Sequence, residues 1–306
     1  MKRATISGGG WVVNELASAG VSRDEWLDVR EQFSGLTGSV VPILHSAISY
    51  NSLELEYDRR VRGVVQDPPG FLATRGIALE PLILCEVTNK PIGERPLAFE
   101  LLHSPRFIQH PVYEWAACSP DFLAISTDSV TCEAFGTRIG SRVVAEALRI
   151  CGEVKSRDGS LAYKYKGDRF QLSERCQVAW NTACSDADVG LLLVEIFGTI
   201  KPITVERDRQ FEIELFESAR VFLDAVEARD VGALIELTDK ASERWDLVRA
   251  TFAEGNAEAL EIDDPDVDAM IDELERFKSA KKAAEADIKR KSSEIGQVMK
   301  NAERMT

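Results

Sequence analysis

From Leu148 the chain runs through Arg149, Ile150, Cys151 and Gly152 into Glu153-Val154-Lys155, so mostly apolar residues lead into an acid and a base spaced two apart. On a β-strand alternate side chains share a face, and this spacing sets a carboxylate and an ammonium side by side. Such a strand needs a sheet around it. Apolar runs predict further strands around 97–102, 112–118, 121–126, 130–135, 143–155, 189–197 and 203–207. Helices are expected over much of 1–35, around Glu80, near 170–184, from 211 to 228 and from 266 to 303. Ser22 followed three residues on by Glu25 marks a helix start. Asp67-Pro68-Pro69-Gly70 is a break. The expected class is mixed α/β, with one central mixed sheet flanked by helices.

The same strand suggests chemistry when read with two upstream strings. Ala117-Cys118-Ser119-Pro120-Asp121 places an aspartate 32 residues before Glu153, and Arg75-Gly76-Ile77-Ala78-Leu79-Glu80-Pro81 reads as a helix carrying an inward glutamate. Carboxylate oxygens suit Mg²⁺, which prefers them to nitrogen or sulfur. In a chain that is 29% charged, a Glu-x-Lys triplet alone arises by chance; the order Glu80, Asp121, Glu153, Lys155 gives it weight.

With these residues the sequence resembles the YqaJ and lambda-exonuclease branch of the PD-(D/E)XK nucleases, over roughly residues 30 to 230. Arg-Gly-x-x-x-Glu-Pro, Ala-Cys-Ser-Pro-Asp and Glu-x-Lys match that branch's acidic motifs, and Cys176-Gln177-Val178 is similar to its glutamine motif. The resemblance implies a restriction-endonuclease-like core that hydrolyses DNA phosphodiesters with Mg²⁺, Mn²⁺ being a possible substitute. Asp121, Glu153, Glu80 and the Val154 carbonyl would hold metal, two ions about 3.5–4 Å apart clamping the attacking and leaving oxygens. Lys155 would orient or deprotonate the water, and Gln177 would position the lysine, the water or the phosphate. By the same resemblance, the substrate is a double-stranded DNA end degraded 5′ to 3′ to leave a 3′ single strand for phage-type recombination. A ring-shaped homotrimer and a single-strand annealing protein are the implied assembly and partner. Two other readings stay open: a restriction-like or structure-specific endonuclease on the same fold, and a DNA-binding or assembly protein with a decayed site.

The chain departs from that pattern in four places. Phe122 stands where the branch has glycine after the aspartate, and Ala179 stands at its second glutamine. The long stretch between Asp121 and Glu153, with Asp128-Ser129 and Gly136 to Gly140 as turn signals, reads as an extra β-hairpin. Thr37-Gly38-Ser39 resembles the segment that captures a 5′-phosphate, with Arg30 as the nearest arginine; an ordinary helix cap accounts equally well for the two hydroxyls.

A net charge of −14 sits awkwardly with a nucleic-acid partner, because phosphate contacts normally drive affinity. Between residues 138 and 175, however, nine Lys or Arg face five Asp or Glu. Arg157, Lys164 and Lys166 in this stretch are candidate DNA contacts, the alternative being a solvated charged loop. Six cysteines at 85, 118, 132, 151, 176 and 184 lack the spacing of zinc or iron–sulfur sites and read as buried thiols. His110, 11 residues before Asp121, either approaches the site or serves structure. No apolar run nears membrane-spanning length and the start lacks a signal peptide's apolar stretch, so a cytoplasmic location in a bacterial or phage-infected cell is expected.

The tail differs in kind. Residues 255–275 hold nine acids and no base, while 276–304 hold nine bases and four acids. Apolar residues from Val267 to Val298 recur at helical spacing, so an amphipathic helix is expected, packed on the core, reaching a partner or joining copies. The domain reading is 1–250 for the nuclease-like domain, with a helical part at 1–70 and a core at 71–230, then 251–306 for an acidic linker and long helix.

Overall fold

The computed structural model describes residues 2–6, 11–17, 21–45, 47, 51–64, 70–89, 99–102, 107–126, 148–167, 169–238, 247 and 265–303. The chain divides into two units, Met1–Glu254 and Gly255–Thr306. The expected hairpin between Asp121 and Glu153, its 130–135 strand, the Asp67–Pro69 break and the acidic linker fall outside the described residues.

Alternating burial builds the first sheet. β1 (Lys2–Ile6) pairs antiparallel with β2 (Trp11–Ala17), Ile6 facing Trp11. In β2, Val13, Glu15 and Ala17 are buried while Val12 is exposed, the period of two of a half-covered strand. This corrects the helical reading of the first residues: Val12 and Val13 are β-branched and favour extended backbone. The helix starts later, as α1 (Arg23–Gln32), where Ser22 accepts the Glu25 N–H and Glu25 accepts the Ser22 N–H in a capping box. β3 (Leu36–Thr37), α2 (Val41–Leu44) and α3 (Leu53–Arg62) follow, then the 19-residue α4 (Phe71–Asn89). β5 (Phe107–Gln109) and β6 (Ala116–Cys118), which follow β4 (Phe99–Leu102), complete the first sheet in the order β1-β2-β5-β6-β3.

The second sheet carries the Glu-x-Lys strand. Its order is β10-β9-β8-β7-β4, formed by β7 (Phe122–Ser126), β8 (Arg149–Arg157), β9 (Val189–Ile196) and β10 (Thr199–Glu206) with β4. β8 and β9 are parallel, joined through a 3₁₀ segment (Gly159–Tyr165) and α5 (Leu172–Cys184), and the other pairs are antiparallel. Val189 to Val194 are all buried, as a strand covered on both faces must be. One cluster, with Ile83, Leu84 and Val87 of α4, packs on Ile150, Val154 and Leu193. Cys151 instead joins Cys176, Trp180 and Cys184 of α5 and Leu215, Ala219 and Phe222 of α6 (Arg209–Ala228). Helices therefore cover β8 on both faces, and the expected mixed α/β class holds, with a second sheet beyond the single one foreseen. Cys118, Cys151, Cys176 and Cys184 are buried thiols.

His110 belongs to this framework. Its Nδ1 accepts the N–H groups of Val112 and Tyr113, both at 3.0 Å, and its ring stacks on Tyr113. Burial, then the Arg207 charge, push its pKa down to about 4, against the opposing pull of Asp186 and Glu212. The folded state keeps this imidazole neutral, while the unfolded chain protonates it below about 6.5. The His110 contribution is fully present above that pH and is lost as pH falls toward 4. We expect His110→Gln to flatten the fall in urea-unfolding free energy between pH 7 and 4.5; parallel curves for the two proteins would contradict this.

The second unit is described by α7 (Pro265–Glu303). Ion pairs such as Glu275–Lys278 and Asp287–Arg290 lie along it, and Phe277, Ile288 and Ile295 are exposed. Among the described residues no helix is long and apolar enough to cross a membrane.

Candidate active site

Three helices and two connecting segments converge on a cavity of about 520 Å³. α1 supplies Trp26 and Arg30, the β3 turn supplies Thr37, Gly38 and Ser39, and α4 supplies Ile77, Glu80 and Leu84. Ser119, Pro120 and Asp121 enter between β6 and β7, and α5 brings Gln177 and Asn181.

The β7–β8 pairing fixes Asp121 against the Glu-x-Lys strand. Its N–H donates to the Gly152 carbonyl at 3.1 Å, and its Oδ2 accepts the Val154 N–H at 2.7 Å. Val154 faces α4 and the neighbouring Glu153 faces α5, as strand alternation requires. Glu153 is 3% exposed and holds three donors. Lys155 Nζ and Gln177 Nε2 reach its Oε1, each at 2.5 Å, and Asn181 Nδ2 reaches its Oε2 at 3.1 Å. Gln177 and Asn181, four apart on α5, lie on one helix face. Two residues on from Gln177, at Ala179, a helix has turned through more than half a circle. Asn181 is therefore the residue that sequence reading missed; its signal was the i, i+4 spacing on a predicted helix.

Like charges crowd here. Burial, then the Glu153 charge and further on that of Glu80, hold the Asp121 carboxyl well above the usual range, while Lys155 and the Val154 N–H oppose this. Burial pulls the Lys155 ammonium down, but the charges of Glu153 and Asp121 and the hydrogen bond to Glu153 outweigh it, and its pKa rises.

Also on the cavity lining, Arg30 Nη2 donates to Ser39 Oγ at 3.0 Å, and the Ser39 and Thr37 hydroxyls are 3.1 Å apart. The Arg30 guanidinium lies over the Trp26 ring, 5.3 Å from its centroid. Burial and the Arg59 charge lower the Arg30 pKa.

Arg30, Thr37, Ser39, Glu80, Asp121 and Gln177 thus line one cavity, with Glu153 bonded to the last of these and Lys155 bonded to Glu153. Arg157, Lys164 and Lys166 do not line it. Arg157 is held by buried Glu174, at 2.7 Å from Nη2, and by the Tyr165 hydroxyl at 2.9 Å. Lys164 donates to Gln171 at 3.1 Å, and Lys166 is exposed after the 3₁₀ segment.

The side chains of Asp121, Glu80 and Glu153 carry oxygens of the kind a hard cation takes, and the Glu153 and Glu80 charges both bear on Asp121. Among the described residues, no three Asp, Glu, His or Cys side chains stand ready-gathered as a ligand set. Both Glu153 oxygens are taken by side-chain donors in this arrangement.

No protein-family model and no curated protein matches the chain. Among solved structures it is similar to an alkaline exonuclease from Laribacter hongkongensis, at 16% identity and a TM-score of 0.48, over 68% of this chain and 94% of that one. The complex of that exonuclease with dAMP is similar at 17% identity and a TM-score of 0.48, over 72% of this chain and 98% of that one.

Proposed function

We propose that the protein is a Mg²⁺-dependent deoxyribonuclease, acting on double-stranded DNA ends as a 5′–3′ exonuclease. The observation that carries this reading is the meeting of Asp121, Glu153 and Lys155 beside a cavity that Arg30, Thr37 and Ser39 also line. Asp121, Glu80, Glu153 and the Val154 carbonyl are the groups that would hold the ion, with Mn²⁺ as a substitute and two ions as the expected number. When bound, the metal polarises the phosphoryl oxygens and acidifies water. Lys155, held as an ammonium by Glu153 and Asp121, orients the water whose oxygen attacks phosphorus, and its positive charge offsets that of the phosphate. Gln177 and Lys155 together fix the Glu153 carboxylate. Arg30 with the two hydroxyls takes the terminal 5′-phosphate, where a guanidinium and neutral donors suit a dianion. Partnership with an annealing protein and assembly into a ring of three copies extend the same proposal.

Digestion of linear and closed-circular duplex DNA, each with Mg²⁺ and with EDTA, tests it. Metal-dependent loss of the linear DNA alone is the expected result. Cutting of circles would point to an endonuclease, and binding without cleavage of either would point to a DNA-binding protein.

A further inference from the structure

Asn181 belongs to none of the acidic motifs, yet it is 2% exposed and touches both halves of the site. On one side its Nδ2 donates to Glu153 Oε2. On the other its Oδ1 is buried with no hydrogen-bond partner. An unpartnered buried amide oxygen costs about 1–3 kcal/mol, so an apolar residue would suit this helix position better unless the Nδ2 donor is needed.

What seals that oxygen is the backbone of Gly38. A Cβ built on Gly38 would lie 2.2 Å from Asn181 Oδ1 and 3.1 Å from its Cγ. Gly38 is flanked by Thr37 and Ser39, whose hydroxyls meet Arg30. The helix side of the contact is anchored, because Trp180 Nε1 donates to the Ala117 carbonyl at 2.9 Å. A shift of the turn is therefore passed to the Asn181 side chain, and from there to the Glu153 carboxylate.

We propose that Asn181 is a positioning residue coupling the Thr37-Gly38-Ser39 turn to Glu153, so that a phosphorylated DNA end seated on the turn sets the carboxylate for hydrolysis. This rests on the nuclease reading above. The coupling makes hydrolysis, beyond binding, depend on the terminal phosphate.

The experiment compares wild type, Asn181→Ala, Asn181→Leu, Gly38→Ala and Gly38→Ala/Asn181→Ala on linear duplexes with 5′-phosphoryl or 5′-hydroxyl ends. Steady-state kinetics in Mg²⁺ give kcat and KM, fluorescence anisotropy in EDTA gives affinity, and thermal melting checks folding. We expect wild type to prefer the phosphorylated end. Either Asn181 variant should lose about ten- to hundredfold in kcat on that end with KM little changed, bringing the preference toward one. Asn181→Leu keeps the branched four-atom shape, fills the space that alanine would empty and removes the unpartnered oxygen, so it should melt no lower than Asn181→Ala. Gly38→Ala should lose the same preference, and the double variant should be no worse than either single one. Equal losses on both ends would reduce Asn181 to a structural role, and additive effects would sever the link through Gly38. Wild type cutting both ends equally would sink this proposal and leave the nuclease reading standing. Cleavage of neither would sink both.

Discussion

Lys155→Ala is expected to slow Mg²⁺-dependent hydrolysis of linear duplex DNA by roughly a hundred- to a thousandfold, as losing one preorganised donor at a reacting centre does. The ammonium stands against the charges of Glu153 and Asp121. Its Nζ holds Glu153 Oε1, and its charge lowers the Asp121 pKa, which Glu153 and Glu80 raise. Without it, Glu153 keeps only the two amide donors, Gln177 and Asn181, and Asp121 is pushed further toward its protonated form. Protonation of Asp121 would deprive the site of one of its proposed metal ligands, so the residual rate of the variant should rise with pH more steeply than that of wild type. The Lys155 side chain is 21% exposed, which lets water replace part of what the ammonium supplied, and the variant should stay folded. Gel assays of the rate from pH 6.5 to 9, beside thermal melts, read both effects. A rate within tenfold of wild type at every pH would remove Lys155 from the chemistry.

How much of this was legible in the sequence depends on how local each signal is. Glu153 and Lys155 could be placed on one face because strand alternation needs only neighbours. Ser22 and Glu25 announced their helix for the same reason. The gathering of Arg30, Thr37 and Ser39 was suggested by the resemblance, with Arg30 as the nearest arginine although not at the branch's usual spacing; Arg30 and Ser39 are nine residues apart. Non-local pairing was invisible. β3 is two residues long, and its parallel partner β6 lies some 80 residues away, so nothing near Leu36 announces a second sheet. Arg157 looked like a free cation in a basic loop. Its partner Glu174 sits 17 residues on, across the 3₁₀ segment, and only the fold brings the two together. The first strands were misread because Trp11 and Leu16 fit a helical stripe as well as a strand. The burial of Val13, Glu15 and Ala17, which settles the period, belongs to the sheet.

Phe122 is expected to stabilise the fold by about 3–5 kcal/mol relative to alanine, as large buried aromatics do. Its ring is 2% exposed and sits directly across from Gly152 in the β7–β8 pairing. A Cβ on Gly152 would lie 2.0–2.3 Å from three atoms of that ring. The ring therefore fills the space a side chain at 152 would occupy, and the two positions trade volume between strands. Gly152→Ala alone should cost about 1–3 kcal/mol, because the ring is packed against Ile150 and Val154 and has little room to move. In the Phe122→Ala background the added methyl enters an emptied space, and the same change should cost little or stabilise. The double variant should then differ from the sum of the single ones by about 0.5–3 kcal/mol, measured by chemical denaturation. The pair also bears on the site, since the Gly152 carbonyl accepts the Asp121 N–H, and a methyl that forces β7 and β8 apart pulls Asp121 away from Val154. Cleavage activity should fall in Gly152→Ala and recover in part in the double variant, once the ring no longer pries the strands apart. Additive stabilities with no recovery would show that the two residues occupy independent spaces, and the exchange of volume would be refuted.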